Sequence, residues 1–575
     1  MPTRHPLVFA AALLCATACD PDKKTETPEP VEPLKIEQPF PTEDELTAIF
    51  AEYPTPPKPE TQIPKDVGTW TMVGDVPQAI GDEPLANPDA NQKVAAQVLA
   101  AAGLTPTGAL MCYAKQYASF VGQHGGVPPR DIHDFMRARC GQASTEIVPI
   151  HLKFDAETSS QLVAGRDDET IRGAFKGLPE GTHVGMWAGT AANGEVHAVW
   201  ARPIKTSTSV EPRAMSAAGS GEVHFRGELP WEPGWVIAYG TKGPRGAARC
   251  RPWEARGKTA TSFAFACPVD PRDAMAMIEV VAAPPNALLG SVVAQVLVSP
   301  NGELPSTYDV PKLSLPIDDG DRSAEGRVAG INALRNEMKL RPLALSPKQS
   351  EAMNNMVPYL LADDRVVIGA MAGWRVDGVV RDADLSTQLF PTAWSVEREL
   401  AGNLLYPRRR QQLFAPDAKV LAVGRMEVGE GTLTVDVTYE LFEGDDFSAE
   451  EAAFVAELDF QRSLVGQPPI VRVAAPKDVA ELDESARRIR EHEATPAQEL
   501  DRLGTHFAEA TGRGFYTHVW FPLRIEGWRP EFPDQLFTTE NVAAAVKISY
   551  FRPPGQAWGQ HVVLMVYTLL DGAPK

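Results

Sequence analysis

The second half of the chain repeats itself, and that restricts its fold more than any other feature. Ile331-Asn332-Ala333-Leu334-Arg335, followed by Pro342-Leu343, returns 127 residues later as Leu458-Asp459-Phe460-Gln461-Arg462, followed by Pro469-Ile470. Gln412-Leu413-Phe414 returns as Gln535-Leu536-Phe537 after 123 residues, and Tyr439-Glu440-Leu441-Phe442-Glu443-Gly444 as Tyr567-Thr568-Leu569-Leu570-Asp571-Gly572 after 128. Three matches in order at nearly constant spacing mark a duplication, so two units of like fold are expected. The drift in spacing fits a longer hairpin at Pro553-Pro554-Gly555-Gln556 in the second copy. Each copy opens with a helix and closes with a β-hairpin. In the second, Ser448-Ala449-Glu450-Glu451 is a capping box ahead of Phe454, Leu458 and Val465. Its closing strands read Val542–Tyr550 and Val562–Leu570, with charged helices such as Val479–His492 before them. Helices wrapped about a small sheet predict an α/β/α sandwich.

At the other end, Arg4 and His5 precede the apolar run Leu7–Leu14, then Ala16-Thr17-Ala18 and Cys19. A basic start, a short apolar core and small residues make a secretory signal. With cysteine directly after them it resembles the bacterial lipobox. That resemblance implies that 1–18 is a lipoprotein signal peptide and that Cys19 is acylated as the mature N-terminus. The lipid bilayer is then a partner through Cys19, and the chain belongs to a bacterial cell envelope, on the periplasmic or outer face of a membrane. Prolines at 21, 28, 30, 33, 39, 41, 54, 56, 57, 59 and 64 make 19–65 read as a disordered tether. A helix around Glu43–Tyr53 would be marginal by itself.

A chain of 575 residues exceeds one hydrophobic core, and about three to four domains are expected. The net charge of −20 and pI near 5.1 exclude nucleic acid and electrostatic binding to anionic lipid. No segment after the signal supplies the roughly 18 unbroken apolar residues of a membrane helix. Val280–Val298 comes nearest and is broken by Pro284, Pro285, Asn286, Gly290 and Gln295. Residues 66–205 read as a mixed α/β module. It has helices at Ala95–Ala102, Leu110–Gly122 and Asp131–Arg139, and a hairpin around Asn193-Gly194. Residues 206–315 lose the helical period and alternate in short strands, as a β-sandwich does. Residues 320–445 and 446–575 are the two copies, so the fold class is α/β and multi-domain, with one all-β part. Apart from Cys19, the predicted mature chain has Cys112, Cys140, Cys250 and Cys267. Four cysteines in an exported protein allow three disulfide connectivities. The local one, Cys112–Cys140 and Cys250–Cys267, keeps each pair within one expected domain. Zinc is the rival use, but no CxxC pair supports it.

The first copy, Ile331-Asn332-Ala333-Leu334-Arg335 through Arg341-Pro342-Leu343, resembles the opening helix and turn of the CAP superfamily (cysteine-rich secretory, antigen 5 and pathogenesis-related proteins). Asn403-Leu404-Leu405-Tyr406-Pro407-Arg408-Arg409-Arg410-Gln411-Gln412-Leu413-Phe414 resembles that family's "SPGHRxNLL" segment, and Val423-Gly424 its "vGvG" strand. The likeness covers about 320–445, extends faintly to 446–575, and the hairpin near 184–200 suggests a divergent CAP-like unit in 66–205. The family's cleft carries two histidines and two acids that hold a divalent cation. Here no histidine lies between His224 and His492, and arginine, about Arg409, stands at the motif's histidine. Arginine cannot coordinate a metal. The resemblance therefore implies a degenerate cleft, with no catalytic residue, metal or cofactor assigned.

No HExxH, P-loop, GxSxG or EF-hand loop occurs. His124, His133, His151, His183 and His197 all fall in 66–205, and His506 and His518 in the last copy. Arg408-Arg409-Arg410 is a candidate anion clamp, although such runs are usually solvated faces. Trp520, Trp528 and Trp558 are candidate groove residues, against ordinary core packing. Two functions follow. One is a non-catalytic binding or scaffold lipoprotein whose envelope ligand or protein partner is unknown. The alternative is a metal-dependent envelope hydrolase using His506, His518 and Glu493, or His124 and His133.

Overall fold

The computed structural model describes residues 40–570 apart from 56–62, 65–66, 78–82, 146, 155–177, 191–195, 204–207, 212–213, 217–220, 253–260, 286–289, 301, 319–320, 430, 474–475, 523–529, 531 and 554–555. Cys19, the signal segment, the Asn193-Gly194 turn and Trp528 lie outside the described residues.

The chain enters through α1 (Glu43–Glu52), which Thr42 and Glu45 close with a reciprocal capping box. Strand β1 (Thr69–Thr71) follows. The first unit then runs α2 (Ala90–Ala101), β2 (Thr105–Pro106), α3 (Gly108–His124), α4 (Arg130–Arg139), β3 (Ile147–Phe154), β4 (His183–Thr190) and β5 (Val196–Pro203). Its sheet is ordered β2-β4-β5-β3, parallel only between β2 and β4.

Two sheets come next. Strands β6 (Ser209–Glu211), β7 (Ala214–Ser216), β8 (Glu222–Glu228), β9 (Trp235–Lys242), β10 (Gly246–Arg249), β11 (Arg251–Pro252), β12 (Ser262–Pro268), β13 (Ala276–Ala283) and β14 (Ser291–Ser299) form the orders β10-β9-β13-β14-β7 and β11-β12-β8-β6. Phe225, Phe263 and Phe265 of one sheet share a core with Ile278, Val280 and Val296 of the other. Strand β15 (Thr307–Asp309) returns to pair with β1.

The third unit is α5 (Ala324–Glu337), β16 (Ala344–Leu345), α6 (Pro347–Met356), α7 (Asp364–Met371), β17 (Val380–Pro391), α8 (Val396–Asn403), α9 (Pro407–Phe414), β18 (Ala418–Val428) and β19 (Gly431–Leu441). The fourth is α10 (Ser448–Leu464), β20 (Val471–Arg472), α11 (Pro476–Arg490), α12 (Pro496–Thr511), β21 (Tyr516–Trp520), α13 (Gln535–Thr538), β22 (Val542–Phe551) and β23 (Gln560–Leu569). Their sheets, β16-β18-β19-β17 and β20-β22-β23-β21, repeat the order and directions of the first unit's sheet. One connectivity thus occurs three times, with two all-β sheets placed after its first occurrence.

Three sequence expectations need correcting. The tether does not stay unstructured to residue 65. Leu46 and Ile49 of α1 enter the third unit's core, Phe50 stacks on Tyr359 at 4.3 Å, and Phe40 stacks on Trp558 at 4.6 Å. A helix marginal by itself is held by that tertiary contact. The closing hairpins also correspond one residue away from the spacing that the sequence repeat predicts. Ala344 pairs with Val420 as Val471 does with Ala543, which aligns Ala422 with Ala545. Ala422 pairs with Val437 and Ala545 with Val566, so the last strands correspond at 129 residues rather than 128. Tyr439 and Tyr567 therefore face opposite sides of their sheets, because strand side chains alternate. The arginine run Arg408–Arg410 is the third, described with the site below.

The seams between units are packed. Trp70, Phe135, Met277, Leu297, Tyr308, Ala401 and Tyr406 belong to one core that runs through the first unit, the all-β part and the third unit. Both local cysteine pairs are formed, Cys112–Cys140 with Cα atoms 5.7 Å apart and Cys250–Cys267 at 4.3 Å. The first ties α3 to the end of α4. The second ties the β10–β11 corner to β12. Among the described residues, no helix is long and apolar enough to cross a membrane.

Candidate functional site

Strand β19 alternates strictly: Leu433, Val435, Val437 and Tyr439 face α6 and α7, leaving Thr432, Thr434, Asp436 and Thr438 for the other side. Such alternation reads as one solvated face, yet all four polar residues are buried. Across the strand pair, Ser386 lies opposite Asp436 and Gln388 opposite Thr434, which extends the polar face onto β17. Helices α5, α8 and α9 cover it. Their charged groups neutralise one another. Arg327 donates from Nε and Nη2 to both oxygens of Asp436 at 2.6 Å, and from Nη1 to Glu399 at 2.8 Å. Arg425 donates to the other oxygen of Glu399 at 2.6 Å. Fully buried charges persist only when paired in this way.

At the edge of this face lies a shallow cleft of about 20 Å³, room for little more than one water molecule. Arg130 and Asp131 of α4 form one wall, with Gln388, Phe390, Asn403 and Tyr406 of the third unit opposite. A Cβ at Gly402 would stand 3.1 Å from Arg398 Nη1 on its own helix and 3.4 Å from Asp131 Oδ2 across the cleft, so the two walls approach to van der Waals contact here. Asp131 accepts from Arg398 at 3.1 Å and from the Tyr308 hydroxyl at 3.3 Å. Burial pushes its carboxyl up, against the pull of Arg398. Arg398 also lies over the Trp394 ring, 3.6 Å from its centre. Three cleft groups have no partner: Gln388 Oε1, Asn403 Oδ1 and the Tyr406 hydroxyl, in side chains 6%, 2% and 3% exposed. Beside Gln388, the Thr432 and Thr434 hydroxyls are unpartnered as well. Each such group left dry costs about 1–3 kcal/mol.

Helix α4 is the hub of the seam. Half of its sequence Arg-Asp-Ile-His-Asp-Phe-Met-Arg-Ala-Arg is charged, yet most of it is buried. Arg137 donates to the carbonyls of Gln142, Ala143 and Ser144 and to Gln295. Arg139 binds the carbonyls of Val76, Pro77 and Pro305. His133 bridges the Tyr113 hydroxyl at 2.5 Å and Asp134 at 3.2 Å. Burial would raise Asp134, but His133, Arg137 and Arg130 outweigh it and hold the carboxyl well below its usual range. Sequence reasoning found this helix and missed its role, since nothing in its composition distinguishes a buried charge from a solvated one.

The arginine run is no solvated face. The Arg408 backbone N–H donates to Glu279 of β13 at 2.9 Å, and its side chain to the Gly290 carbonyl at 3.0 Å. Arg410 binds the carbonyls of Leu404, Gly243 and Gly246. Arg409, at the motif's histidine position, donates to the Thr387 carbonyl and Gln412, both at 3.2 Å. Burial, then repulsion from Arg130 and Arg408, pushes its guanidinium down to about 9. The run pins the all-β part to the third unit because buried carbonyls there need donors.

The candidate histidines stay apart. His124 packs on Phe120 and Trp70, whereas His133 lies against Tyr113 and Tyr117. His506 meets Asp478 at 3.3 Å, His518 lies against Trp520, and Glu493 pairs with Arg487. His151 is on β3, His183 on β4 and His197 on β5. Among the described residues, no three His, Cys, Asp or Glu side chains stand together as metal ligands. Trp558 donates to the Ala372 carbonyl at 2.6 Å and so joins the fourth unit to the third.

No protein-family profile matches the sequence, and no curated protein does either. Among solved structures, a cysteine-rich secretory protein from Staphylococcus aureus subsp. aureus Mu50 is similar at 10% identity and a TM-score of 0.18, over 28% of this chain and 55% of that one. An extracellular protein containing a SCP domain from Bacillus anthracis str. Ames is similar at 9% identity and a TM-score of 0.17, over 38% of this chain and 78% of that one. Both are weak structural neighbours. The chain spans about half the length of the first, 55%.

Proposed function

We propose that this chain is an exported, lipid-anchored protein of the bacterial cell envelope, built from degenerate CAP-like modules and one β-sandwich, that binds an envelope ligand or protein without transforming it. The anchor rests on the lipobox-like run ending at Cys19. The CAP-like reading rests on the helix-and-turn motif at 331–343 and on the sheet connectivity that recurs with it. The observation that carries the binding role is the cleft beside the third unit's polar sheet face. Its one carboxylate, Asp131, is matched by Arg398, while buried carboxamide and hydroxyl groups beside it stand without partners. Acid–base or metal chemistry needs a group that titrates or coordinates near neutral pH beside a partner. Among the residues that line the cleft, Asp131 is the one carboxylate, and Arg398 and the Tyr308 hydroxyl already hold it.

Two measurements test the proposal. Intact mass of the membrane-extracted protein should show a diacylglyceryl Cys19 at the mature N-terminus; a soluble form beginning elsewhere overturns the anchor. Elemental analysis with hydrolase screening of the purified chain should find neither stoichiometric metal nor turnover. Bound zinc, or turnover abolished by His506→Ala or His518→Ala, overturns the binding role.

A further inference from the structure

Exposed apolar side chains gather in the fourth unit. Among the described residues, seven large apolar side chains are more than a third exposed, and all but Leu361 belong to that unit. Phe460, Leu464 and Val465, at the end of α10, are 55%, 70% and 57% exposed. The same helix buries Phe454, Val455, Leu458 and Arg462 against its own unit, so these three lie on its far side. At 3.6 residues per turn, the outward arc of about 120° takes in Ala449, Ala452, Ala453, Ala456, Phe460, Ser463 and Leu464, all of them exposed. The arc carries no charge; Glu450, Glu457 and Asp459 fall on its flanks. A helix face left in water is normally charged or polar, and a helix apolar on every side is a covered one.

The sister helix α5 has the opposite character. Arg322, Glu325 and Glu337 take the places of Ala449, Ala452 and Leu464, and Glu337 pairs with Arg245 of the all-β part. In the third unit this face is thus an interface between units, built on charge, whereas in the fourth its apolar counterpart is open. The open strip is also graded, with alanine over its first two turns and Phe460 and Leu464 over its last. Turned end for end, the large end of one strip fits over the small end of another, Phe460 above Ala452 and Ala453 and Leu464 above Ala449, with Ala456 near the axis. Alanine there lets two helices approach to about 8 Å. Such grading is complementary to itself only about a two-fold axis across the helix. Charge agrees, since copies with a net charge of −20 repel and meet at least cost on a strip that has none.

We propose that α10 pairs with α10 of a second copy of this chain, antiparallel, about a two-fold axis near Ala456. Two strips each about 22 Å long bury roughly 1,000 Å² in all, short of the roughly 1,600 Å² of a standard interface, so the dimer is weak and reversible.

Sedimentation equilibrium of the purified full chain, from about 1 to 300 µM, tests this. The mass should rise from one copy towards two, and the dimer should tighten as salt goes from about 50 to 500 mM, because screening weakens the repulsion between copies. Leu464→Glu and Ala449→Lys, both at exposed positions, should each weaken the dimer at least tenfold while leaving circular dichroism unchanged. Placed together in one chain, the two new charges lie about 22 Å apart along the helix and cannot meet within it. Across the antiparallel pair they do meet, so the double variant should regain most of the loss at low salt. A chain that stays monomeric over the whole range leaves the strip to another occupant and overturns the inference. A dimer indifferent to both single variants, or one that loosens as salt rises, overturns it as well. A double variant no better than the single ones rules out the antiparallel pairing.

Discussion

The third and fourth units share a frame and differ in what they hide beneath their first helix. In both, one arginine locks the helix to the far end of the unit. Arg335 donates to the carbonyls of Arg341, Leu413 and Ala415, and Arg462 to those of Pro468, Leu536 and Thr539. Asn332 binds the Leu343 amide as Asp459 binds that of Ile470. Beneath the helix the two diverge. The third unit sets Arg327 against Asp436, whereas the fourth sets Phe454 against Met565 at the matching positions. The neighbouring Thr434 and Thr438 are likewise replaced by Val563 and Tyr567. The frame is therefore carried by the helix, its turn and one arginine, and it tolerates either an ionic or an apolar interior. The ionic interior occurs where the third unit is wedged against the first unit and the all-β sheets. The apolar one occurs in the unit at the chain's end.

The largest effect should come from breaking the ionic interior. Arg327→Ala leaves Asp436 buried and unpaired, and about 3–5 kcal/mol of stability is expected to go with it. Arg327→Phe with Asp436→Met transplants the fourth unit's solution and should recover most of that loss, since a buried pair is often replaceable by packed apolar groups. Glu399 would then keep Arg425 as its partner. Urea unfolding, followed by hydrogen exchange over residues 324–441, measures both. A double variant no better than Arg327→Ala would mean that the two interiors are not interchangeable and that the units have diverged beyond the shared frame.

How much of this was legible in the sequence follows from the same comparison. The helix and turn were readable because Ile331 with Leu458, and Arg335 with Arg462, hold one apolar and one anchoring role at fixed spacing. The closing strands are legible but fall one residue out of step, because Tyr439 and Tyr567 are the visible aromatics and yet occupy opposite faces. The α/β units and the strand-rich middle were visible in their periodicity. The cleft was not. Asn403 and Tyr406 stand out in the sequence only as part of a motif, and nothing in the sequence marks Gln388. Their meaning depends on α4, which lies more than 250 residues earlier in the chain. The Arg408–Arg410 run reads as solvated because sequence shows a side chain's charge and not the carbonyls that will surround it.

An effect that is smaller only when counted bridge by bridge separates the cysteine-bearing half from the cysteine-free half. Loops of 28 and 17 residues closed by Cys112–Cys140 and Cys250–Cys267 are each worth about 3–4 kcal/mol by the chain-entropy account. Mild reduction should lower the unfolding midpoint of the first unit and the all-β sheets and leave the fourth unit's protection unchanged, as read by exchange mass spectrometry. Peptide mapping without reduction should recover both pairs. Four free thiols would remove the distinction between the halves.

The smallest effect is pH, and its sign should differ between the seam and the fourth unit. Burial raises Asp131 and Glu279 above their ordinary values of 3.8 and 4.5. Their contribution is then full below those values and drains away as pH rises through the folded-state values. In the fourth unit the exposed Glu484 and Glu493 are lowered by Arg487, and Asp446 by Ser448. Those contributions are full above the ordinary values and are lost as pH falls through the folded ones, and solvent screening keeps them slight. Asp134 sits in the seam but is held so low that it stays ionised throughout the useful range. Acidifying the protein through the folded-state values of Asp131 and Glu279 should therefore tighten the seam relative to the fourth unit. Continuing below pH 4 should loosen the fourth unit. Exchange protection at α4 and β13 against that of α11, corrected for the intrinsic pH dependence of exchange, reads the difference directly. If both regions moved together across that range, the buried carboxylates of the seam would not titrate apart from the exposed ones, and the contrast between an ionic and an apolar interior would not extend to their response to acid.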